Sequence, residues 1–476
     1  MASLIQGITR AATVLRTMGA TGRLRPRDAL LWPRALGLFQ NLSAFQIDNE
    51  LLGRLFELFF LLQCEYKPIV SGNTNRADGR SPAMPGGPAD RTPRVALFAD
   101  AMDHMSGVTT TLRQWSEQAR QRDHWFKVHC VEAGDPFPGA VRFHPVGILR
   151  VPVYEYLKLN VPQASDVLAY LQREDFNIVH ISTPGPMGLI ALLAARLRNV
   201  PVCGTHHTNF PAYAKYLSGD LALEEMSWRF LQWFYGEFDL ISAPSRSAAD
   251  DLLAHGIPPE KIRVVGRGVN TNLFTPELRD NSLRATWFPD RPVKLLYIGR
   301  ISREKNLACL AGAFHELCRQ RSDAALIVVG DGPYREEMEN ELAGLPVYFT
   351  GERSGTELAR IYASCDLFVF PSETDTLGNV VLEAQASGLP VLVSNKGGPK
   401  DCVSDGVTGL VLKNMTPHAL ARAIARLIEQ PDRLETMRCA ASAHASSLSP
   451  EQSFDQFWNM HADCLHHASE VPVESL

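Results

Sequence analysis

The chain has 476 residues, 45% of them hydrophobic, which is enough to fill the cores of two or three domains. Lys and Arg number 47 against 52 Asp and Glu, a formal net charge of −5, so no global positive field recommends a nucleic-acid partner. The 9 cysteines are scattered without any C-x-x-C pair, which argues against a disulfide framework or a zinc cluster and suits a reducing cytoplasm.

In chain order, the first 27 residues carry Arg10, Arg16, Arg23, Arg25 and Arg27 with no acid before Asp28. Leu4, Ile5, Ile8, Val14 and Leu15 are interleaved, so the segment reads as a basic arm, either a poorly ordered leader, a membrane-surface helix or a targeting peptide. From Trp32 to Tyr66 apolar residues recur at helical spacing, which predicts a helical hairpin and makes 1–67 an arm with a helical annex. Its apolar stretch Leu51 to Leu62 is broken by Arg54 and Glu57 and falls short of the roughly 18 residues a membrane-spanning helix needs. Residues 68–93, rich in Pro, Gly, Asn and Asp, read as a linker.

A first βα series follows. Strands are expected at Arg94–Asp100, Asn177–Ile181, Pro201–Thr205 and Leu240–Ala243, and helices at Gly107–Arg120, Pro186–Leu197, Leu221–Tyr235 and Ser247–His255. A second series places strands at Val293–Ile298, Ala325–Val329, Val347–Thr350, Leu367–Phe370 and Pro390–Val393. Its helices are expected at Leu307–Arg319, Tyr334–Leu342, Thr356–Ala363 and Asn379–Ser387. Strands that are apolar throughout, alternating with amphipathic helices, imply parallel sheets covered on both faces. The fold class is therefore α/β, with two doubly wound Rossmann-like domains, 94–275 and 293–450, facing across a cleft, then a terminal helix and tail at 451–476.

Two segments at expected strand ends hold groups suited to chemistry. In YIGRISREKNL, Gly299 permits close backbone approach, while Arg300 in the turn and Lys305 opening a helix could flank a diphosphate; as surface charges they would be unremarkable. In FPSETDTLGNVVLEAQASGLP, Asp375 precedes a helix expected to start near Leu377, and Glu383 lies one to two turns inside it. The free N–H groups around Gly378 suit phosphate or sugar oxygens. The plainer alternatives are that Asp375 is an N-cap and Glu383 a solvated helix residue. VVGDGP lacks the third glycine of a dinucleotide fingerprint, and no P-loop, G-x-S-x-G or D-x-D triplet occurs. His461, Cys464, His466 and His467 have metal-like spacing but fit an amphipathic helix better, so no metal site is expected.

From about Arg94 to Leu412 the chain resembles the retaining GT-B glycosyltransferases of family four, through YIGRISREKN, VVGDGP, the E-x7-E type segment ending in Glu383, and ASGLPVLVSNKGG. It departs from the pattern in having Asp375 where the family usually has Glu, a carboxylate shorter by one methylene. THHTNFPAYAKYL and SETDTLGNVVLEA are similar to the branch of GDP-mannose-dependent α-mannosyltransferases and sulfolipid synthases. The resemblance implies a hexosyltransferase whose donor is a GDP- or UDP-linked sugar and whose acceptor is a lipid or glycan hydroxyl. It implies Arg300 and Lys305 at the diphosphate, Gly299 beside them among the donor-binding residues, and Glu383 at the ribose. Asp375 and the backbone of Thr376, Leu377, Gly378 and Asn379 would hold the transferred sugar, Gly107 would belong to the glycine-rich first loop, and His207 would line the reaction centre. His207, Arg300, Lys305 and Asp375 are then the catalytic set, with no metal and no cofactor beyond the nucleotide-sugar substrate. A structural histidine remains the plainer reading of His207, and a silent GT-B scaffold or an epimerase remain rival functions. With the basic arm, the location expected is cytoplasmic, at the inner face of an anionic membrane, and no nucleic acid is expected as partner.

Overall fold

The computed structural model describes residues 92–100, 107–131, 139–151 and 154–470. The expected basic arm, helical hairpin and all but the end of the linker lie outside the described residues. In chain order the elements begin with β1 (Val95–Ala99), α1 (Gly107–Gln121), β2 (Phe126–Val131), β3 (Val141–Phe143), β4 (Pro145–Val151), β5 (Tyr154–Pro162) and α2 (Ala164–Arg173). Next are β6 (Ile178–Ile181), α3 (Pro186–Arg198), β7 (Val202–Thr205), α4 (Phe210–Ser218), α5 (Leu221–Gly236), β8 (Leu240–Ala243), α6 (Arg246–Ala254), β9 (Ile262–Val264) and α7 (Asn281–Thr286). The second series is β10 (Val293–Ile298), α8 (Leu307–Gln320), β11 (Ala324–Val329), α9 (Arg335–Glu341), β12 (Val347–Gly351), α10 (Gly355–Ala363), β13 (Leu367–Phe370), α11 (Asn379–Ala386) and β14 (Val391–Ser394). The chain closes with β15 (Gly409–Leu412), α12 (Pro417–Ile428), α13 (Pro431–Ser446) and α14 (Pro450–Glu470).

The strands form a 7-stranded sheet in the order β3-β2-β1-β6-β7-β8-β9 and a 6-stranded sheet in the order β12-β11-β10-β13-β14-β15, together with an antiparallel β4-β5 ribbon. One compact unit holds β1 to β6 with α2 and α3, and the other holds α1 and the chain from β7 to Cys464.

In the first unit, β3, β2, β1 and β6 pair in parallel. All five residues of VALFA in β1 are buried, as a strand covered on both faces requires. Asp100, just past its end, accepts hydrogen bonds from the Met187 N–H (2.7 Å), the Gly185 N–H (3.1 Å) and the Thr183 hydroxyl (2.5 Å), and so satisfies donors at the start of α3. The β4-β5 ribbon interrupts the βα rhythm and has no counterpart in the sequence reading.

In the second unit, β7, β8 and β9 pair in parallel, and so do all neighbours in the 6-stranded sheet. The runs AALIVV, LFVF and VLVS are buried at every position, as strands covered on both faces require. Helix starts carry their own chemistry. Asn209, Asp220, Ser245 and Thr416 each accept a backbone N–H in the first turn of α4, α5, α6 and α12. His461 and Cys464 are buried in α14, and among the described residues no group of His, Cys, Asp and Glu could hold a metal ion. No described helix is long and apolar enough to cross a membrane.

The turns after β10 and β11 are pressed backbone to backbone: a Cβ on Gly330, at φ +130°, would lie 2.1 Å from the Gly299 carbonyl oxygen. Such overlap cannot be relieved without separating the two turns. Gly330→Ala is therefore expected to lower the melting temperature by several degrees, equivalent to about 2 kcal/mol or more, in a thermal scan of the purified chain.

Candidate active site

All expected site residues fall in the second unit, at the carboxyl ends of strands or the starts of the helices that follow them. After β10, the Gly299 N–H donates to the Val329 carbonyl at 3.1 Å, and the Ile301 N–H to Asp331 at 2.9 Å. The buried Tyr297 hydroxyl donates to the Arg300 carbonyl at 2.9 Å and fixes the turn from within. Lys305 does not open the following helix. It closes a short 3-10 turn, Arg303–Lys305, and α8 starts at Leu307 because Asn306 adopts a left-handed conformation, φ 56°, that breaks the helical run. The Ser302 hydroxyl holds the Glu304 carboxylate at 2.6 Å inside this turn.

The break aims Lys305 at the second segment. Its ammonium donates to Asp375 Oδ1 at 2.7 Å, and the two side chains retain only 11% and 19% exposure. It also donates to the Tyr213 hydroxyl from α4 at 3.2 Å. Burial alone would depress the ammonium, but the Asp375 carboxylate, with Tyr213 and Tyr297, outweighs it and holds Lys305 above the ordinary lysine value. Lys305 is therefore charged throughout the neutral range.

Asp375 is not a helix cap. Gly378 occupies that position at φ 93°, and α11 starts at Asn379 rather than near Leu377, whose side chain is buried in the core. The turn from 373 to 378 is held by its neighbours. Thr376 Oγ1 donates to the His207 carbonyl at 2.5 Å, the Ser245 hydroxyl to the Thr376 carbonyl at 2.7 Å, and the Gly398 N–H to the Asp375 carbonyl at 2.7 Å. Gly398 is obligatory there, since a Cβ would sit 1.9 Å from the Thr376 carbonyl oxygen. Asn379 Nδ2 reaches the Gly107 carbonyl at 3.3 Å, which brings the start of α1 to the start of α11.

Glu383, one turn into α11, accepts a hydrogen bond from the buried Tyr362 hydroxyl at 2.9 Å. It is not a solvated helix residue: burial pushes its carboxyl up to about 7, against the lowering effect of Tyr362. Arg300 is exposed at the end of β10. His207 follows β7 and is pushed well below the ordinary histidine value by burial, then by the charges of Arg267 and His206, so its imidazole is neutral at pH 7. Its Nε2 is buried with no hydrogen-bond partner among the described residues.

Sequence reasoning passed over the groups that support these residues. Arg267, in GRGVN just after the first βα series, lies outside the motifs singled out in the sequence. It is 7% exposed, lies 4.5 Å over the Trp115 ring, and is pushed down to about 9 by burial. Trp115 in turn stacks at 3.7 Å on Phe457 of α14 and lies 6.3 Å from His207. The basic residue in GRGVN, flanked by glycines, was the available signal for Arg267; none marked Tyr213 or Tyr362 apart from other aromatic residues.

Residues 105–273 match Glycosyltransferase Family 4, and residues 279–444 match Glycosyl transferases group 1. A GDP-mannose-dependent alpha-mannosyltransferase of Mycolicibacterium smegmatis is 34% identical over 349 residues, 71% of this chain and 90% of the relative. The chain belongs to glycosyltransferase family 4. Sulfoquinovosyl transferase SQD2 of Arabidopsis thaliana is 32% identical over 329 residues, 67% of this chain but only 63% of that relative's length. Among solved structures, sucrose-phosphate synthase of Thermosynechococcus elongatus superposes with a TM-score of 0.63 at 20% identity, covering 78% of this chain and 99% of that one. The two parallel sheets are thus those of a GT-B glycosyltransferase, as the sequence led us to expect. Membership in the family makes the chain a glycosyltransferase, as the sequence led us to expect.

The Lys305–Asp375 pair is well enough buried that losing one partner strands the other. Asp375→Ala is expected to destabilise the chain by about 2–4 kcal/mol in urea unfolding, and the Lys305→Met/Asp375→Leu double variant to recover part of that loss.

Proposed function

We propose that this glycosyltransferase moves a hexose from a GDP- or UDP-linked sugar to an acceptor hydroxyl with retention at the anomeric carbon. The observation that carries the reading is the convergence of Lys305, Asp375 and the start of α11 on one short turn. Lys305 and Arg300 offset charge on the departing diphosphate, assisted by the positive end of the α11 dipole. Glu383 holds the ribose, and Asp375 with the backbone of 376–379 holds the hexose. As the acceptor oxygen bonds to the anomeric carbon, the bond from that carbon to the diphosphate breaks, and the acceptor proton passes to the departing phosphate. Charge stabilisation by these groups makes a metal unnecessary in this reading.

The GDP-mannose named for the mycobacterial relative supports a guanosine diphosphate donor, and the sulfoquinovosyl group named for the plant relative keeps other hexoses in view. Lipid and glycan hydroxyls are the acceptor classes we propose, at an anionic membrane surface in the lipid case. The eight described cysteines are all free thiols, which supports a reducing cytoplasm as the location.

Thermal shift with GDP- and UDP-sugars identifies the donor, because a ligand that binds the folded state raises the melting temperature. Lys305→Ala is expected to cost roughly 2 to 4 kcal/mol of transition-state stabilisation in donor turnover. Calorimetry divides the two acids. Glu383→Gln should weaken both the free nucleoside diphosphate and the sugar donor, whereas Asp375→Asn should weaken only the intact donor. Equal losses for both ligands in both variants would refute that assignment.

A further inference from the structure

Glu383 sits in a pairing that serves both of its protonation states. Tyr362, from α10, is fully buried, and its hydroxyl lies 2.9 Å from Glu383 Oε2 and 3.3 Å from the Val380 carbonyl oxygen. A phenol has one proton to give and lone pairs to receive another. When Glu383 is ionised, Tyr362 donates to the carboxylate. When Glu383 is protonated, the carboxyl donates to the phenol oxygen, and the phenol turns its own proton to Val380. No polar group is stranded in either state, so Glu383 can hold either one, with burial favouring the protonated form and the phenol's hydrogen bond the ionised one.

We propose that Tyr362 is a positioning residue for the nucleotide: it holds Glu383 in its ionised, ribose-accepting form and thereby sets the pH at which nucleoside diphosphates bind. This rests on the proposed contact of Glu383 with the ribose. An ionised carboxylate can accept from both ribose hydroxyls, whereas a protonated one has spent an acceptor site on its own proton.

The surroundings leave Tyr362 as the controlling group. Ring neighbours of Tyr362 are Phe274 at 5.6 Å, edge to face, and Phe368 at 5.9 Å, both apolar. The helix packed against α11, α13, buries Met437, Ala441 and Ala445. Among the described residues no charged side chain shifts Glu383; burial raises its carboxyl to about 7 and the Tyr362 hydrogen bond lowers it. Tyr362 itself is held well above the ordinary tyrosine value by burial and by the Glu383 carboxylate, so it stays a neutral donor.

The sign follows. Binding that needs ionised Glu383 strengthens as pH rises through about 7 and levels off above it. Tyr362→Phe removes the one hydrogen bond among the described residues that favours the ionised form, so the midpoint should rise by about one pH unit, the size expected for loss of a hydrogen bond to a charge.

The test is calorimetric titration of GDP and UDP into the full chain between pH 6 and 9, for wild type, Tyr362→Phe and Glu383→Gln, with thermal melts confirming that each is folded. Comparing variants cancels the titration of the nucleotide's own phosphates. The expected result is a several-fold loss of affinity for Tyr362→Phe at pH 7 that disappears by pH 9, and in Glu383→Gln a loss that does not recover with pH. A Tyr362→Phe loss that is the same at every pH, or no loss at all, overturns the proposal while leaving the ribose contact intact if Glu383→Gln still binds weakly. Wild-type affinity in Glu383→Gln instead overturns the ribose contact itself, and this proposal with it. A Tyr362→Phe variant that does not fold is replaced by Tyr362→Leu or Tyr362→Met, which also lack a donor, judged by the same pH shift.

Discussion

Everything at this site depends on how closely backbone can approach backbone at the ends of the second sheet's strands. The turn after β10 lies against the turn after β11 with no room for a side chain at Gly330, and the loop after β14 lies against the turn after β13 with none at Gly398. These contacts replace side-chain packing with hydrogen bonds between main-chain groups, such as Ile301 to Asp331 and Gly398 to Asp375. Main-chain groups have few degrees of freedom, so turns tied this way cannot drift apart singly. The side chains on their outer surfaces inherit that rigidity, which a site built to stabilise developing charge requires.

On this frame the charges are arranged to be nearly self-compensating. Lys305 is held by Asp375 and Tyr213 at a depth where a lone ammonium would be costly. The aspartate makes sense of its own length. The acid precedes α11 by a turn fixed through its carbonyl by Gly398, and the shorter side chain meets Lys305 at 2.7 Å. A cation already paired is held in place with little exposure to water, and the pair's net charge stays near zero. Arg300, at the surface of the neighbouring turn, can add charge without a comparable burial cost.

His207 is governed by a different device. A guanidinium lies over Trp115, Trp115 stacks on Phe457 of the last helix, and the positive charge adds to burial in keeping the imidazole neutral. The last helix is tied to the same loop through the Ser453 hydroxyl and the Gly266 carbonyl, at 2.7 Å. The state of His207 therefore depends on a helix more than 200 residues away in sequence, which acts by placing rather than by touching.

The two parallel sheets were legible in the sequence because strands buried on both faces are apolar at nearly every position: the observed β8, β10 and β13 coincide with the runs LISA, VKLLYI and LFVF, where only Ser242 and Lys294 are polar. The ribbon β4-β5 and the nine-residue α4 were not legible, since one pairs locally with mixed polarity and the other is too short to show a helical period. The site motifs stood out through glycines and charges clustered at strand ends, and they named Lys305, Asp375 and Glu383, whereas His207 entered only through the family resemblance. The sequence by itself thus determined which residue types gather after which strands, because periodicity and turn chemistry are local. What only the tertiary structure decided is who partners whom: that Asn306 and Gly378 break the chain so that Lys305 meets Asp375, that Tyr362 meets Glu383, and that Arg267 reaches the ring beside His207. Those meetings join residues tens to hundreds of positions apart, and their geometry is set by left-handed backbone and close packing, which leave no periodic trace along the chain.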